Sequence, residues 1–178
     1  MPQPTTTRYA WLMAKFADLP TVETSAVINA PAERIWSLIT DISFPSYFSD
    51  EFQGGEWLDQ PPALGSRFVG RNSNPVIGDW ETTSTVDVYE PLRSFGYLVG
   101  DPDQPGARWR YDLEPSEEGG VRVTMAARMG PGRSGVTWLI HQNPEMEEQI
   151  VSTRLAQWRK NMDAVLAGIK VWTEGSSC

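Results

Sequence analysis

The sequence predicts an α+β fold in which a curved antiparallel β-sheet wraps around one long C-terminal α-helix, with two short helices following the first strand. Three observations predict it. Between residues 65 and 130, strand-like runs alternate with Gly, Pro and Asn turns. The cleanest run, "VRVTMAARM", sets Val121, Val123, Met125, Ala127 and Met129 against Arg122, Thr124, Ala126 and Arg128, the pattern of a sheet dry on one face and wet on the other. Downstream, "NPEMEEQIVSTRLAQWRKNMDAVLAGIKVW" carries Val151, Leu155, Trp158, Met162, Val165 and Ile169 at 4, 3, 4, 3, 4 spacing, the stripe of a long amphipathic helix.

The elements follow in order. Residues 1–20 are expected to form an N-terminal arm, in which Tyr9, Trp11, Leu12, Met13 and Phe16 suit a short amphipathic segment that either packs on its own domain or makes a dimer contact. The domain itself is expected over 21–172, with a tail at 173–178. Val22, Thr24, Ala26 and Ile28 share one side of a first strand. In "INAPAERIWSLITDISFPSYFSDEF", Pro31 suits a first helical turn because its missing N–H has no partner there to lose, and Glu33 meets the positive end of the helix dipole. Ile35, Trp36 and Ile39 make an apolar face, and Pro45 stops the helix. A second short helix is expected near "PSYFSD". Strands are then expected at 65–73, 79–90, 93–100, 107–115 and 120–130, and the long helix from Asn143–Pro144, with Glu145, Glu147 and Glu148 in its first turns.

Composition narrows the function. The formal charge is 15 − 23 = −8, which disfavours nucleic acid and anionic membranes as partners, since both need a positive face. One cysteine, Cys178, permits neither an intrachain disulfide nor a thiolate zinc site, and a reducing cytoplasm is the expected setting. The N-terminus lacks the form of a signal peptide, and no apolar run reaches the roughly 20 residues of a membrane span. Nucleophile-elbow, phosphate-loop and dinucleotide motifs are absent from the sequence, and a lone histidine with no carboxylate cluster argues against a metal site. No cofactor is expected.

The strand and helix order, and "VINAPAERIWSLITDISFPSYF", "LGSRFVGRN", "WETTSTVDVYEPLRSFGY", "RWRYDLEP" and "GGVRVTM" in particular, resemble the START-like helix-grip (SRPBCC) superfamily, in its polyketide cyclase/dehydrase-type branch found widely in bacteria. The resemblance covers about residues 22–170 and is most specific at the "INAPAERIW…D" junction and "W…V…YEPLRSF". It implies an internal cavity that binds a hydrophobic or aromatic small molecule, lipid-like or polyketide-like, or that guides cyclisation, aromatisation or dehydration of a poly-β-keto chain. The superfamily shares a pocket rather than a catalytic motif, so no catalytic residue carries over.

Alternation then names the candidate lining. Phe68, Gly70 and Asn72 are expected inside on one strand, Trp80, Thr82, Ser84, Val86 and Val88 on the next, and Trp109, Tyr111 and Leu113 on a third, opposite Met125. Trp158 faces them from the helix, while Tyr47 and Phe48 in "FPSYFSDEF" are expected at the cavity mouth or floor. Asn72, Thr82, Ser84, Tyr111 and Tyr47 either hydrogen-bond a ligand or satisfy one another and buried water. Arg67 and Arg71 alternate outward. His141, in a loop before the long helix, lies where an entrance is expected and is either a ligand contact or a surface residue. "GPGRSG" at 130–135 reads as a flexible gate. A homodimer is left open.

Overall fold

The computed structural model describes residues 13–175. Strand β1 (Thr21–Ile28) leads to helix α1 (Ala32–Ile39), which buries Ile35 and Ile39. A 3-10 turn at Phe44–Tyr47 follows, then six strands: β2 (Phe52–Trp57), β3 (Arg67–Asn74), β4 (Gly78–Glu90), β5 (Ser94–Val99), β6 (Ala107–Pro115) and β7 (Val121–Met129). Helix α2 (Gly135–Gln142), a 3-10 turn at Pro144–Met146 and helix α3 (Glu147–Glu174) complete the chain. The strands form one seven-stranded curved, unclosed antiparallel sheet ordered β1-β7-β6-β5-β4-β3-β2. The fold is therefore α+β and helix-grip-like, as the periodicities require.

Register explains the dry face. Trp109 pairs with Ala127, Tyr111 with Met125 and Leu113 with Val123 across β6 and β7, so directly opposed residues point the same way and build a continuous apolar wall. Against this wall α3 buries Val151, Leu155, Trp158, Met162, Val165 and Ile169, the full expected stripe. Each such side chain contributes on the order of 1.5–3 kcal/mol by leaving water. The helix is also sewn to β1: Thr24 Oγ1 donates to Asp163 at 2.5 Å, Arg159 to the Glu23 carbonyl at 3.0 Å and Lys170 to the Val27 carbonyl at 2.9 Å.

Several expectations need correction. The segment near "PSYFSD" is a 3-10 turn rather than an α-helix; Pro45, at its second position, has no N–H to give. "FQGGEW" is a strand that its glycines conceal: Gly54 holds φ 123° at a register shift, and a Cβ on Gly55 would lie 3.2 Å from the Val69 carbonyl oxygen. "GVTWLIHQ" is helix α2 rather than loop, started by a capping box in which Thr137 N–H donates to Ser134 Oγ and Ser134 N–H to Thr137 Oγ1. In β4 a bulge between Val86 and Val88 reverses the phase, so Val88 pairs with Gly96 on the outer face and Tyr89 turns inward against Trp36 and Phe95. Helix α3 runs to Glu174, past the expected tail boundary at 173, with Thr173 buried and its hydroxyl donating to the Ile169 carbonyl.

Residues 1–12 of the expected arm, with Tyr9, Trp11 and Leu12, lie outside the described residues, as does Cys178. From Ala14 onward the segment packs on the core; Phe16 N–H donates to Glu147 Oε1 at 2.9 Å, and Met129 N–H to the Pro20 carbonyl at 3.0 Å.

Candidate functional site

Between the concave face of the sheet and α3 lies a cavity of about 650 Å³, well within the range of small-molecule sites. Its walls come from β3 to β7, from α2 and from the face of α3 between Gln149 and Val165. The last third of α3 is pressed onto β1 and α1, which closes that end. The other end opens beside α2, where Phe16, Ile77, Met146 and Gly135 rim it and Val76 is 72 % exposed.

Phe68, Asn72, Trp80, Thr82, Ser84, Trp109, Tyr111, Met125 and Trp158 all stand in this wall. Trp109 and Trp158 meet across it with ring centroids 5.3 Å apart, and Phe68 packs edge-on to Tyr97 at 4.9 Å. A tilted or edge-on aromatic lining of this kind suits flat apolar ligands.

Of the expected lining residues, Val86 and Leu113 are buried in the core instead, Val88 lies on the outer face, and three more stand elsewhere. Tyr47 is 67 % exposed and sits among Phe44, Phe48 and Trp172 on the outside. Phe48 presses its ring edge onto Gly168 of α3, outside the cavity wall. The same segment instead supplies Ile42, Pro45, Ser49, Glu51 and Phe52 to the lining. His141 is exposed, because α2 turns it to solvent while burying Val136. Nor is the glycine-rich stretch a free gate. Gly130 N–H donates to the Gly106 carbonyl at 3.0 Å and Gly132 N–H to the Pro105 carbonyl at 2.9 Å, an approach so close that a Cβ on either glycine would lie 1.9 Å from a carbonyl oxygen.

Arg67 points outward as expected, paired with Asp59 at 3.0 Å, and Arg71 is exposed, so neither cation lines the cavity. Asp112 lies on the outer face, bonded to Arg110 and Ser94.

Of the cavity residues that sequence reasoning missed, four bear most on its chemistry. Tyr97 follows from the alternation of Phe95, Tyr97 and Val99 once that strand is phased. Burial raises the pKa of both its hydroxyl and that of Tyr111 well above the ordinary phenol value, and the nearby Tyr97 phenol adds to the rise at Tyr111. Among the described residues neither hydroxyl has a hydrogen-bond partner, so two neutral donors face the cavity. The others are Glu51, Asn74 and Arg154. Arg154 sits on the shoulder of the α3 stripe, a charge beside Leu155 that offers a visible signal. Its Nη1 and Nη2 donate to Glu51 Oε2 and Oε1 at 2.6 and 2.7 Å, and its guanidinium lies 5.3 Å from the Trp158 ring centroid. Asn74 donates to the same carboxylate at 3.2 Å.

A family model described as polyketide cyclase/dehydrase and lipid transport matches residues 20–167. No curated protein matches the sequence significantly. Among solved structures, the chain is similar to the Polyketide_cyc-like protein Cgl2372 of Corynebacterium glutamicum, with 29 % identity and a TM-score of 0.63 over 88 % of this chain and 95 % of that one. It is also similar to the di-domain ARO/CYC protein StfQ of the steffimycin pathway, at 11 % identity and TM-score 0.67, covering 87 % of this chain and 50 % of that one. TTHA0849 of Thermus thermophilus matches at 16 % identity and TM-score 0.61, over 89 % and 100 %. The last two likenesses are of fold.

Proposed function

The chain belongs to the polyketide cyclase/dehydrase and lipid transport family, and from that premise we propose that it binds a hydrophobic or aromatic small molecule, polyketide-like or lipid-like, in the cavity between sheet and α3. The observation that carries this reading is the 650 Å³ aromatic-walled space itself. A side chain in every strand from β3 to β7 is spent on lining it rather than filling it, although filling would add core contacts. Phe68, Trp80, Trp109, Met125 and Trp158 supply contact area, and Asn72, Thr82 and Ser84 supply hydrogen bonds.

Native mass spectrometry of freshly purified protein, followed by denaturing extraction, tests the reading together with a titration against a neutral naphthyl probe read by quenching of the tryptophans. A co-purified apolar or aromatic molecule, or probe binding, is the expected result. An empty protein that also fails to bind the probe refutes it.

One observation favours a second reading, an aromatase/cyclase or dehydratase acting on a poly-β-keto intermediate. The Tyr97 and Tyr111 phenols are neutral, inward and unpartnered among the described residues. Such donors can hydrogen-bond a ketone oxygen and gain strength as it becomes an enolate, in a site that excludes water. In that case Tyr111→Phe lowers cyclisation of a poly-β-ketone mimic while retaining its binding; an unchanged rate excludes a role for that phenol.

No described helix is long and apolar enough to cross a membrane. A cytoplasmic setting remains the proposed one, resting on the single cysteine, and size exclusion of the full chain decides between monomer and homodimer.

A further inference from the structure

We propose that the Glu51–Arg154 pair makes the cavity select uncharged ligands and reject anionic ones, an inference that rests on the cavity being a ligand site. Arg154 and Glu51 are only 16 % and 15 % exposed in their side chains, and both line the cavity. The two η nitrogens of the arginine are taken by the two oxygens of the carboxylate, and Nη1 also reaches Gln157 Oε1 at 3.4 Å. Asn74 adds a third donor to the same carboxylate. Among the described lining residues, the only other charged group is Arg133, which is exposed at the mouth. The interior wall therefore carries one cation and one anion in bidentate contact, with no net charge.

The consequence for a ligand is asymmetric. A carboxylate or sulfonate entering this space finds the guanidinium charge already neutralised by Glu51 and meets that carboxylate where water screens poorly. A ketone, ester or phenol meets no such charge. It can use the Tyr97 and Tyr111 hydroxyls, or the side chains of Asn72 and Asn161, which have no hydrogen-bond partner among the described residues. A pair that only clasped the loop before β2 onto α3 would affect stability and all ligands alike. A pair that selects by charge changes the ratio between ligands.

The test uses two probes with one aromatic body: N-phenylnaphthylamine, which is neutral, and anilinonaphthalene sulfonate, which is anionic. Displacement of the sulfonate by the neutral probe locates both in the cavity. Wild type is expected to prefer the neutral probe. Glu51→Gln frees Arg154 for the sulfonate and is expected to raise the anion-to-neutral affinity ratio about tenfold or more, the scale of one charge-assisted hydrogen bond. Glu51→Gln combined with Arg154→Met is expected to reverse that gain. An unchanged ratio in Glu51→Gln, with the neutral probe still bound, overturns the selectivity proposal and leaves the ligand-site reading standing. Absence of neutral-probe binding to wild type overturns both. Should Glu51→Gln not fold, Arg154→Met is measured alone: the unpaired Glu51 is then expected to lower the ratio below wild type, and an unchanged ratio overturns the proposal.

Discussion

Gly168, in the last third of α3, is the position where a single methyl group is expected to test how the cavity end is closed. A Cβ built there falls 2.4 Å from Phe48 Cε2 and Cζ and 2.7 Å from Cε1, whereas carbon atoms in contact settle near 3.5–4.0 Å. The ring must withdraw by about 1 Å, and Phe48 is held on its other side by Phe44 at 5.3 Å between centroids. Overpacking of this kind costs about 3 kcal/mol at the upper end of its usual range. Alanine in a helix interior returns about 1 kcal/mol relative to glycine. Gly168→Ala is thus expected to destabilise by about 2 kcal/mol, a fall in Tm of roughly 4–8 °C for a chain of this size. With Phe48→Ala already made, the clash is gone and only the propensity gain remains, so the same Gly168→Ala change is expected to stabilise by about 1 kcal/mol. Urea denaturation of the four proteins closes the double-mutant cycle, with a coupling of about 3 kcal/mol expected. If Gly168→Ala has the same sign with and without Phe48, the ring does not seat on Gly168 and the account of the closed end fails.

Three further outcomes are expected. At Gly70 a Cβ would stand 2.9 Å from Phe52 Cε2, so Gly70→Trp is expected to drive both rings into the cavity, abolish neutral-probe binding and cost about 1–3 kcal/mol of stability; binding at full affinity would place the ligand elsewhere. Burial raises the Tyr97 and Tyr111 hydroxyls, so above pH of about 10 the unfolded chain releases protons that the folded chain keeps. Their contribution to stability is complete below that pH and declines as pH rises towards the folded values; urea midpoints should fall above pH of about 10, and less steeply in Tyr97→Phe with Tyr111→Phe. Ser134→Ala removes the capping box that starts α2 at the cavity mouth and is expected to cost about 1 kcal/mol, with faster amide exchange at Thr137, whose N–H donates to the Ser134 hydroxyl, but not at Val123.

How much was legible follows from the range of each signal. The β7 alternation and the α3 stripe repeat over many residues, and both place their side chains where expected. The bulge at Val86 and Val88 inverts the phase through one extra residue, and nothing local in "TVDVYE" announces it. Strand β2 was hidden because Gly54 and Gly55 contribute no side chains to an alternation. Tyr47 and Phe48 carry the composition of a pocket, yet a 3-10 turn aims them at the outside of α3. His141 lies at an entrance only if its segment is a loop; the helical twist of α2 turns it to solvent.

The sequence by itself determined the α+β class, the identity of most strands, the long gripping helix and the aromatic character of the inner wall, because these follow from repeating local patterns that must bury one face. Only the tertiary structure decided that Glu51, some hundred residues from Arg154 in sequence, would meet it in the wall. It also decided that Tyr97 and Tyr111 would both stand in the cavity wall as neutral donors, and which aromatic residues would miss the cavity. Each of these depends on the curvature of the sheet and the distance at which α3 stands from it. Those quantities are set by packing between remote segments and leave no periodic trace in the chain.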